Sequence, residues 1–513
     1  MNRVVCASLN RLDATETISM QKLNRRGFIA TSAVGALGFA AFPSSFSTPT
    51  VFADRPRTKL RLGLVGCGGR GLFLTTFLSQ IPNAEIVAVC DPDRGRLAAA
   101  KKNFPKAKDS VDMRAVFDDP NVDAVLIATC NHWHVLAAIW AMEAGKDVYL
   151  EKPLCLNFWE GTQVVAAAKK YGKICQIGTQ MRADPEHHPE AREFLHEAKT
   201  LGAVRSIRVN RFAPRRGIGK RSTPLTPPKN VDYNLWLGPA PDVPLYRSNL
   251  QYDWHWMWNT GNGETGNWGA HLLDDCRNDV FLDRIRAPKR VLAGGARIGY
   301  DDAGETPNEM FVYFDTGEAP VIFCISNLPD KENPKSAGTC DEPAVGYSVR
   351  CEGGRYVKYW GRAVAYDEKG KKIREFKATS EHAGPGPHLR NFVETVLAGD
   401  ASRLYAPLEV GRDSATWYNG ANAAYRLGEP YSKSAALDLV ADSADGSALL
   451  AEAIGDLERH LTAQGLKMNA DTFKTSRFLE YDGVEGVKGE YADAAARLLK
   501  IDYRDGFVVP EIV

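Results

Sequence analysis

The order of apolar and polar positions divides the chain into two regions of different rhythm. In the first, an apolar run at 60–66 has strand length and passes through a glycine-rich turn into 72–78, whose spacing is that of an amphipathic helix. Strand-like runs recur at 85–90, 122–128, 147–150 and 172–178, with a helical pattern at 134–144. Strands alternating with helices predict a parallel sheet covered on both faces. Farther along, alternating segments at 204–212, 290–298, 310–314, 320–325 and 347–358 predict an open sheet of largely antiparallel strands. Helical patterns follow at 387–397, 410–426 and 447–461. The predicted fold class is α/β: a doubly wound parallel sheet, then a large α+β domain. A chain of 513 residues is long enough for two sizeable cores.

The N-terminus reads as an address. Arg25-Arg26-Gly27-Phe28-Ile29 precedes an Ala/Gly-rich apolar run to Phe42, and a polar stretch then ends in Val51-Phe52-Ala53. This is the architecture of a twin-arginine export signal. The apolar run is shorter than the roughly 20 residues needed to span a bilayer, so no transmembrane span is expected. Met20 opens a charged n-region of ordinary length and is a candidate start. The expected location is periplasmic, or cytoplasmic if the signal does not operate. The expected division is 1–53 signal, 54–176 nucleotide-binding domain, 177–433 α+β substrate and oligomerisation domain, and 434–513 C-terminal extension.

The turn after the first strand is Gly66-Cys67-Gly68-Gly69-Arg70-Gly71. Gly66 permits the tight turn, Gly68 lets the backbone approach a pyrophosphate, and Gly71 allows close helix-to-strand packing. The second strand ends at Asp91, 20 residues after Gly71, where a carboxylate can accept hydrogen bonds from ribose hydroxyls. Together these predict a Rossmann domain. The Asp91 carboxylate repels a 2′-phosphate, so NAD is expected over NADP, with Arg94 near enough to weaken the preference. Ligands of such sheets lie beyond the carboxyl ends of the strands. Thr129, Asn131 and His134 after one strand, and Glu151 and Lys152 after another, are therefore expected to border the cofactor.

A formal net charge of +1, from 64 basic and 63 acidic residues without long like-charge blocks, offers no footprint for nucleic acid. A small-molecule partner is expected. The ten cysteines include no Cys-x-x-Cys pair, so no metal site and no disulfide framework are expected. Cys67, Cys90, Cys130 and Cys175 read as buried thiols.

At Glu151-Lys152-Pro153 the sequence resembles the Gfo/Idh/MocA oxidoreductases, whose hallmark is Glu-Lys-Pro after the fifth Rossmann strand. The glycine turn, Asn131-His-Trp-His134, Glu-Lys-Pro and the Gly-x-His-x-x-Asp stretch from Gly269 to Asp274 occur in the family's order, and the resemblance covers roughly 60–432. It implies that Lys152 touches the substrate hydroxyl and the nicotinamide region, and that His271 is the acid/base. It also implies that Gln180 and Arg182 lie near substrate, and that the second sheet mediates a dimer or tetramer.

The residues make chemical sense beside the resemblance. Hydride removal from a secondary alcohol needs a base for the hydroxyl proton and a cation for the developing alkoxide, roles suited to histidine and lysine. The chain departs from the family in carrying Asn267, where an aspartate often stands four residues before the histidine. An amide can orient a neighbour but cannot stabilise an imidazolium by charge. Asp274, three residues past His271, is a candidate to compensate. Tyr252-Asp-Trp254-His255-Trp256-Met-Trp258 concentrates aromatics just before Glu264, which suits a carbohydrate pocket; the same cluster would equally serve as an aromatic plug of the core. The basic run 215–221 reads as a solvated surface loop.

These residues point to an exported oxidoreductase that holds NAD tightly and acts on a sugar or sugar derivative. The alternatives are a redox-neutral glycosidase or lyase, in which the sugar is oxidised transiently, and a nucleotide-binding protein without catalysis.

Overall fold

The computed structural model describes residues 58–184, 186–338, 343–377, 384–484 and 486–513. The export segment expected at 1–53, with Met20, lies outside the described residues. β1 (Leu60–Val65) reads Leu-Arg-Leu-Gly-Leu-Val and is buried at every position except Arg61. It is followed by α1 (Gly69–Leu78), β2 (Ala84–Cys90), α2 (Arg94–Asn103), β3 (Lys108–Ser110), α3 (Arg114–Phe117), β4 (Ala124–Ile127), α4 (His134–Glu143), β5 (Asp147–Leu150), α5 (Phe158–Tyr171) and β6 (Cys175–Ile177). The strands pair in parallel in the order β3-β2-β1-β4-β5-β6. That order reverses between β1 and β4, which opens a crevice beyond their carboxyl ends. The Gly66 turn and the 129–131 turn border it. α1 starts three residues before the predicted 72, because Gly69 to Gly71 already belong to the helix.

The chain continues through α6 (His187–Arg192), β7 (Val204–Phe212), α7 (Tyr233–Leu237), α8 (Gly263–Val280), β8 (Arg290–Ala296), β9 (Glu309–Asp315), β10 (Val321–Ser326), β11 (Val345–Cys351), β12 (Gly354–Tyr359), β13 (Arg362–Asp367) and β14 (Lys372–Lys377). β7 to β14 join one sheet in the order β14-β13-β12-β11-β7-β10-β9-β8; only β7 and β10 pair in parallel. The segment predicted as one strand at 347–358 is a hairpin. Its turn at Glu352-Gly353 is followed by Gly354 at φ 145°, a conformation that a side chain would resist.

After α9 (Pro385–Ala398) and α10 (Leu408–Arg426), the C-terminal extension supplies α11 (Lys433–Asp438), α12 (Ala444–Ala463) and α13 (Ala492–Leu499). α9 follows the second sheet in sequence yet packs on the first, placing Leu389, Phe392 and Val393 against Leu60, Leu62 and Leu64. The second sheet is buried on both faces. Met310, Val312 and Phe314 share a core with α8 and α10, whereas Phe311 and Tyr313 face Leu449, Leu450, Ala453 and Ile454 of α12. This two-sided burial explains why β10 reads Val-Ile-Phe-Cys-Ile-Ser rather than alternating. No helix of the described residues is long and apolar enough to cross a membrane. The described cysteines are free; Cys67, Cys90 and Cys175 are buried, whereas Cys130 is only half-buried, since it follows β4 at the crevice.

Candidate active site

A cavity of about 510 Å3 runs from the β1–α1 turn to α8, within the size range of ligand sites. At one end, Gly66, Gly68, Asp91, Thr129 and Asn131 form its wall. Gly66 has φ +92°, and a Cβ there would lie 2.5 Å from the Ala128 carbonyl oxygen. A Cβ on Gly71 would lie 2.0 Å from the Gly66 oxygen, so Gly71 lies behind the wall and lets α1 approach the turn. α1 has no side-chain cap at Gly68 and no acidic residue in its first turn. Its first N–H groups thus remain available to an anion. Asp91 accepts the Cys67 N–H (2.8 Å) and the Asp93 N–H (2.9 Å); burial pushes its carboxyl upward against those bonds. These residues fit a dinucleotide.

At the other end stand Glu151, Lys152, Asn267, His271 and Trp254. The Lys152–Pro153 peptide is cis. Lys152 Nζ donates to the Asn267 carbonyl (2.7 Å) and to Asn267 Oδ1 (2.8 Å). Burial pushes the Lys152 ammonium down to about 8, with Glu151 opposing the shift. The Asn267 amide in turn donates to Glu264 Oε2 (3.3 Å). His271 is 7% exposed and its Nδ1 has no protein partner. Burial, reinforced by the Lys152 charge, holds its pKa well below the usual histidine value. The cavity therefore juxtaposes a cation and a neutral imidazole beside the glycine turn.

Several candidates lie behind the wall rather than on it. His134 is buried with Nδ1 2.6 Å from the Pro153 carbonyl and Nε2 3.3 Å from the Thr129 carbonyl, so it ties the two turns together. Gln180 accepts from Arg70 (2.9 Å) and donates to Glu151 (2.9 Å) and Tyr149 (2.8 Å). Arg182 spans Asp274 (2.7 Å) and Asp283 (3.0 Å), and Asp274 also accepts from Ser414 (2.8 Å). Asp274 thus serves Arg182 rather than His271. Trp256 is buried with Ile218 and Met257. Glu264 is buried and forms ion pairs with Arg211 and Arg215, both at 2.9 Å.

Other residues reach the cavity without having been marked by their sequence context. Arg215, expected on a solvated loop, lines it because buried Glu264 draws its guanidinium inward. Arg96, not the exposed Arg94, lines the cavity beside Gly68, from the first turn of α2. His255 stacks on Trp254 with centroids 3.6 Å apart, and burial pushes it down to about 4. Trp360, on the β12–β13 turn, and Phe507, from the C-terminal tail, complete the wall. Only the aromatic concentration at 252–258 signalled any of these.

His188, Asp275 and Asp279 form a group with metal-ligating chemistry elsewhere, beneath the second sheet. Lys358 Nζ lies 3.9 Å from a carboxylate oxygen of each aspartate, and the Tyr347 hydroxyl is 3.2 and 2.9 Å from the same pair. His188 Nδ1 and Asp279 Oδ1 lie 2.5 Å apart in a hydrogen-bonded ion pair, closer than two ligands of one metal ion stand. The protein's own cations occupy this slot.

Residues 60–179 match the family described as an oxidoreductase family with an NAD-binding Rossmann fold. These residues therefore form the NAD-binding domain of the Gfo/Idh/MocA oxidoreductases. The chain is 34% identical over 130 residues to scyllo-inositol 2-dehydrogenase (NAD(+)) of Bacillus subtilis, a match covering 25% of this chain and 38% of that protein. It is 36% identical over 156 residues to trans-1,2-dihydrobenzene-1,2-diol dehydrogenase of Mus musculus, covering 30% and 45%. These matches thus span less than half of each relative. The fold is similar to that of the WlbA dehydrogenase of Bordetella pertussis, solved with NADH and UDP-GlcNAcA: the TM-score is 0.53 at 17% identity, over 72% of this chain and 96% of that one.

Proposed function

We propose that this protein is an exported NAD-dependent oxidoreductase that removes hydride from a secondary alcohol of a sugar or sugar derivative. The observation that carries this reading is the placement of Lys152 and of the unpartnered His271 Nδ1 on the cavity that the glycine turn opens. Bound NAD supplies the hydride acceptor. His271, kept neutral by burial, takes the hydroxyl proton. Lys152, still mostly charged at pH 7, favours the alkoxide as it develops. The carbon loses its hydride and the oxygen its proton, leaving a ketone. Trp254 and the exposed Trp360 offer faces for sugar C–H groups. The inositol named in the Bacillus relative is a cyclic polyol of this class.

His255 favours a second reading, redox-neutral glycoside cleavage. A dehydrogenase needs one base, whereas elimination also needs a group to take a C–H proton, and His255 is a second neutral imidazole on the same wall. A non-catalytic nucleotide-binding protein has no use for either histidine.

The test is to purify residues 54–513, denature them and quantify the nucleotide released, then to offer inositols, hexoses and glycosides. Reduction of NAD in step with substrate supports dehydrogenation; product without net NADH supports cleavage. Unchanged turnover in Lys152→Ala would sink both. Export rests on Arg25 and Arg26, and retention of an Arg25→Lys/Arg26→Lys variant in the cytoplasm would support it. We also propose a homo-oligomer of two or four. Light scattering tests the number.

A further inference from the structure

After α13 the chain crosses to α5 and the end of α7 and is anchored there at three points. The Tyr503 hydroxyl donates to Glu160 Oε1 (3.0 Å), Arg504 Nη1 donates to the Gly238 carbonyl (3.0 Å), and the Ile512 N–H donates to Gln163 Oε1 (2.8 Å). Arg504 also pairs with the side chain of Asn234. Phe507 lies between these anchors. It is 7% exposed and forms part of the cavity wall. Its ring stands perpendicular to Trp133 at 5.5 Å, and Trp140 lies 6.3 Å away.

The same end of the cavity is closed from the opposite side. The Arg94 N–H donates to the Asn230 carbonyl (3.0 Å), the Asn230 amide donates to Asp93 Oδ1 (2.7 Å), and the Asp232 N–H donates to the Pro92 carbonyl (2.9 Å). These bonds draw α7 over the loop that follows Asp91. Trp236 of α7 lines the cavity, and its buried indole N–H has no acceptor in the protein. Three segments distant in sequence thus meet where Asp91 marks the ribose end of a dinucleotide site. Their aromatic walls suit a flat heteroaromatic base, and the free indole N–H suits a polar atom of the same ligand.

We propose that residues 503–512 form a clasp that retains the dinucleotide, with Phe507 as a wall of the adenine site and Arg504 as the latch to α7. Escape of the nucleotide requires Phe507 to leave its seat, which breaks the three anchoring bonds and exposes Phe507 and the buried Val509. The bound nucleotide is accordingly a resident group rather than an exchanging co-substrate. This rests on the NAD reading of the cavity and goes beyond it, because a Rossmann domain by itself leaves the nucleotide free to exchange.

The test uses residues 54–513 loaded with NAD, chased with an excess of fluorescent etheno-NAD, with release followed in the unaltered protein, Phe507→Ala and Arg504→Ala. The clasp predicts release at least ten-fold faster in both variants and loss of nucleotide on dialysis, while the melting temperature of nucleotide-free Arg504→Ala stays near that of the unaltered protein. Arg504 does not line the cavity, so it decides the matter if Phe507→Ala does not fold. Equal release rates in the unaltered protein and folded Arg504→Ala overturn the clasp while leaving NAD binding intact. A protein that binds no NAD overturns the NAD reading as well, so the two failures are distinguishable.

Discussion

Lys152 is held by both oxygens of Asn267, donating to the backbone carbonyl at 2.7 Å and to the side-chain Oδ1 at 2.8 Å. The amide positions the ammonium without adding a countercharge, so burial can hold Lys152 down at about 8. Asn267→Asp should place a carboxylate within hydrogen-bond distance and raise Lys152 by about one unit or more. The pH midpoint of Lys152 acylation, read by mass spectrometry of the tryptic peptide, reports this without a substrate. An unchanged midpoint would show that Asn267 does not set the charge state of Lys152.

Gly71 and Gly69 form a matched pair in the glycine turn. A Cβ on Gly71 meets the Gly66 carbonyl oxygen at 2.0 Å, whereas one on Gly69 meets nothing within 4 Å. Gly71→Ala should weaken NAD binding at least ten-fold and lower the melting temperature; Gly69→Ala should leave the nucleotide-free fold unchanged. Titration calorimetry and thermal melts check both, and equal behaviour of the two variants would refute the packing role of Gly71.

α12 is part of the second core. Ile454 is fully buried against the outer face of the sheet. Ile454→Ala should therefore cost about 3 kcal/mol, the range for large-to-small core changes. Denaturant unfolding measures it, and a cost below about 1 kcal/mol would mean that α12 is an ornament on a sheet already stable without it.

Burial pushes His132 and His255 down to about 4, and His187 and His388 down to about 3. Below the unfolded value of about 6.5 the unfolded chain takes up protons that these folded histidines refuse, so stability falls as pH falls. Burial raises Glu160 to about 7 and Glu309 to about 8. Folded, these hold protons that the unfolded chain releases above about 4.5, so their contribution is lost as pH rises through 7 and 8. The lowered histidines outnumber the raised glutamic acids, so stability rises with pH between about 4.5 and 6.5 and falls above it. Stability should peak near pH 6.5 in denaturant melts. A curve flat from pH 5 to 8 would show that these groups are not desolvated.

The first sheet was legible because its signals are local. The glycines from Gly66 to Gly71, Asp91 and the Glu151-Lys152-Pro153 turn each sit at the end of a strand whose apolar run shows in the chain, and the parallel order then brings them to one edge. The hairpin at β11–β12 was misread as one strand because alternation continues through Glu352-Gly353, and only the pairing of Arg350 with Arg355 shows that the chain reverses.

By itself the sequence determined the two sheet regions, the nucleotide turn and the place of Lys152 at a strand end, since each depends on residues close in the chain; His271, on a helix 119 residues from Lys152, was singled out through the family resemblance. Tertiary structure decided which charged groups face the cavity and which are spent elsewhere. Arg215 enters because Glu264 is buried beneath it, Asp274 is withdrawn because Arg182 reaches it across 92 residues, and Phe507 joins the wall because the tail returns to α5 and the end of α7. A buried charge must find its partner wherever the fold brings one, and no spacing along the chain records that choice.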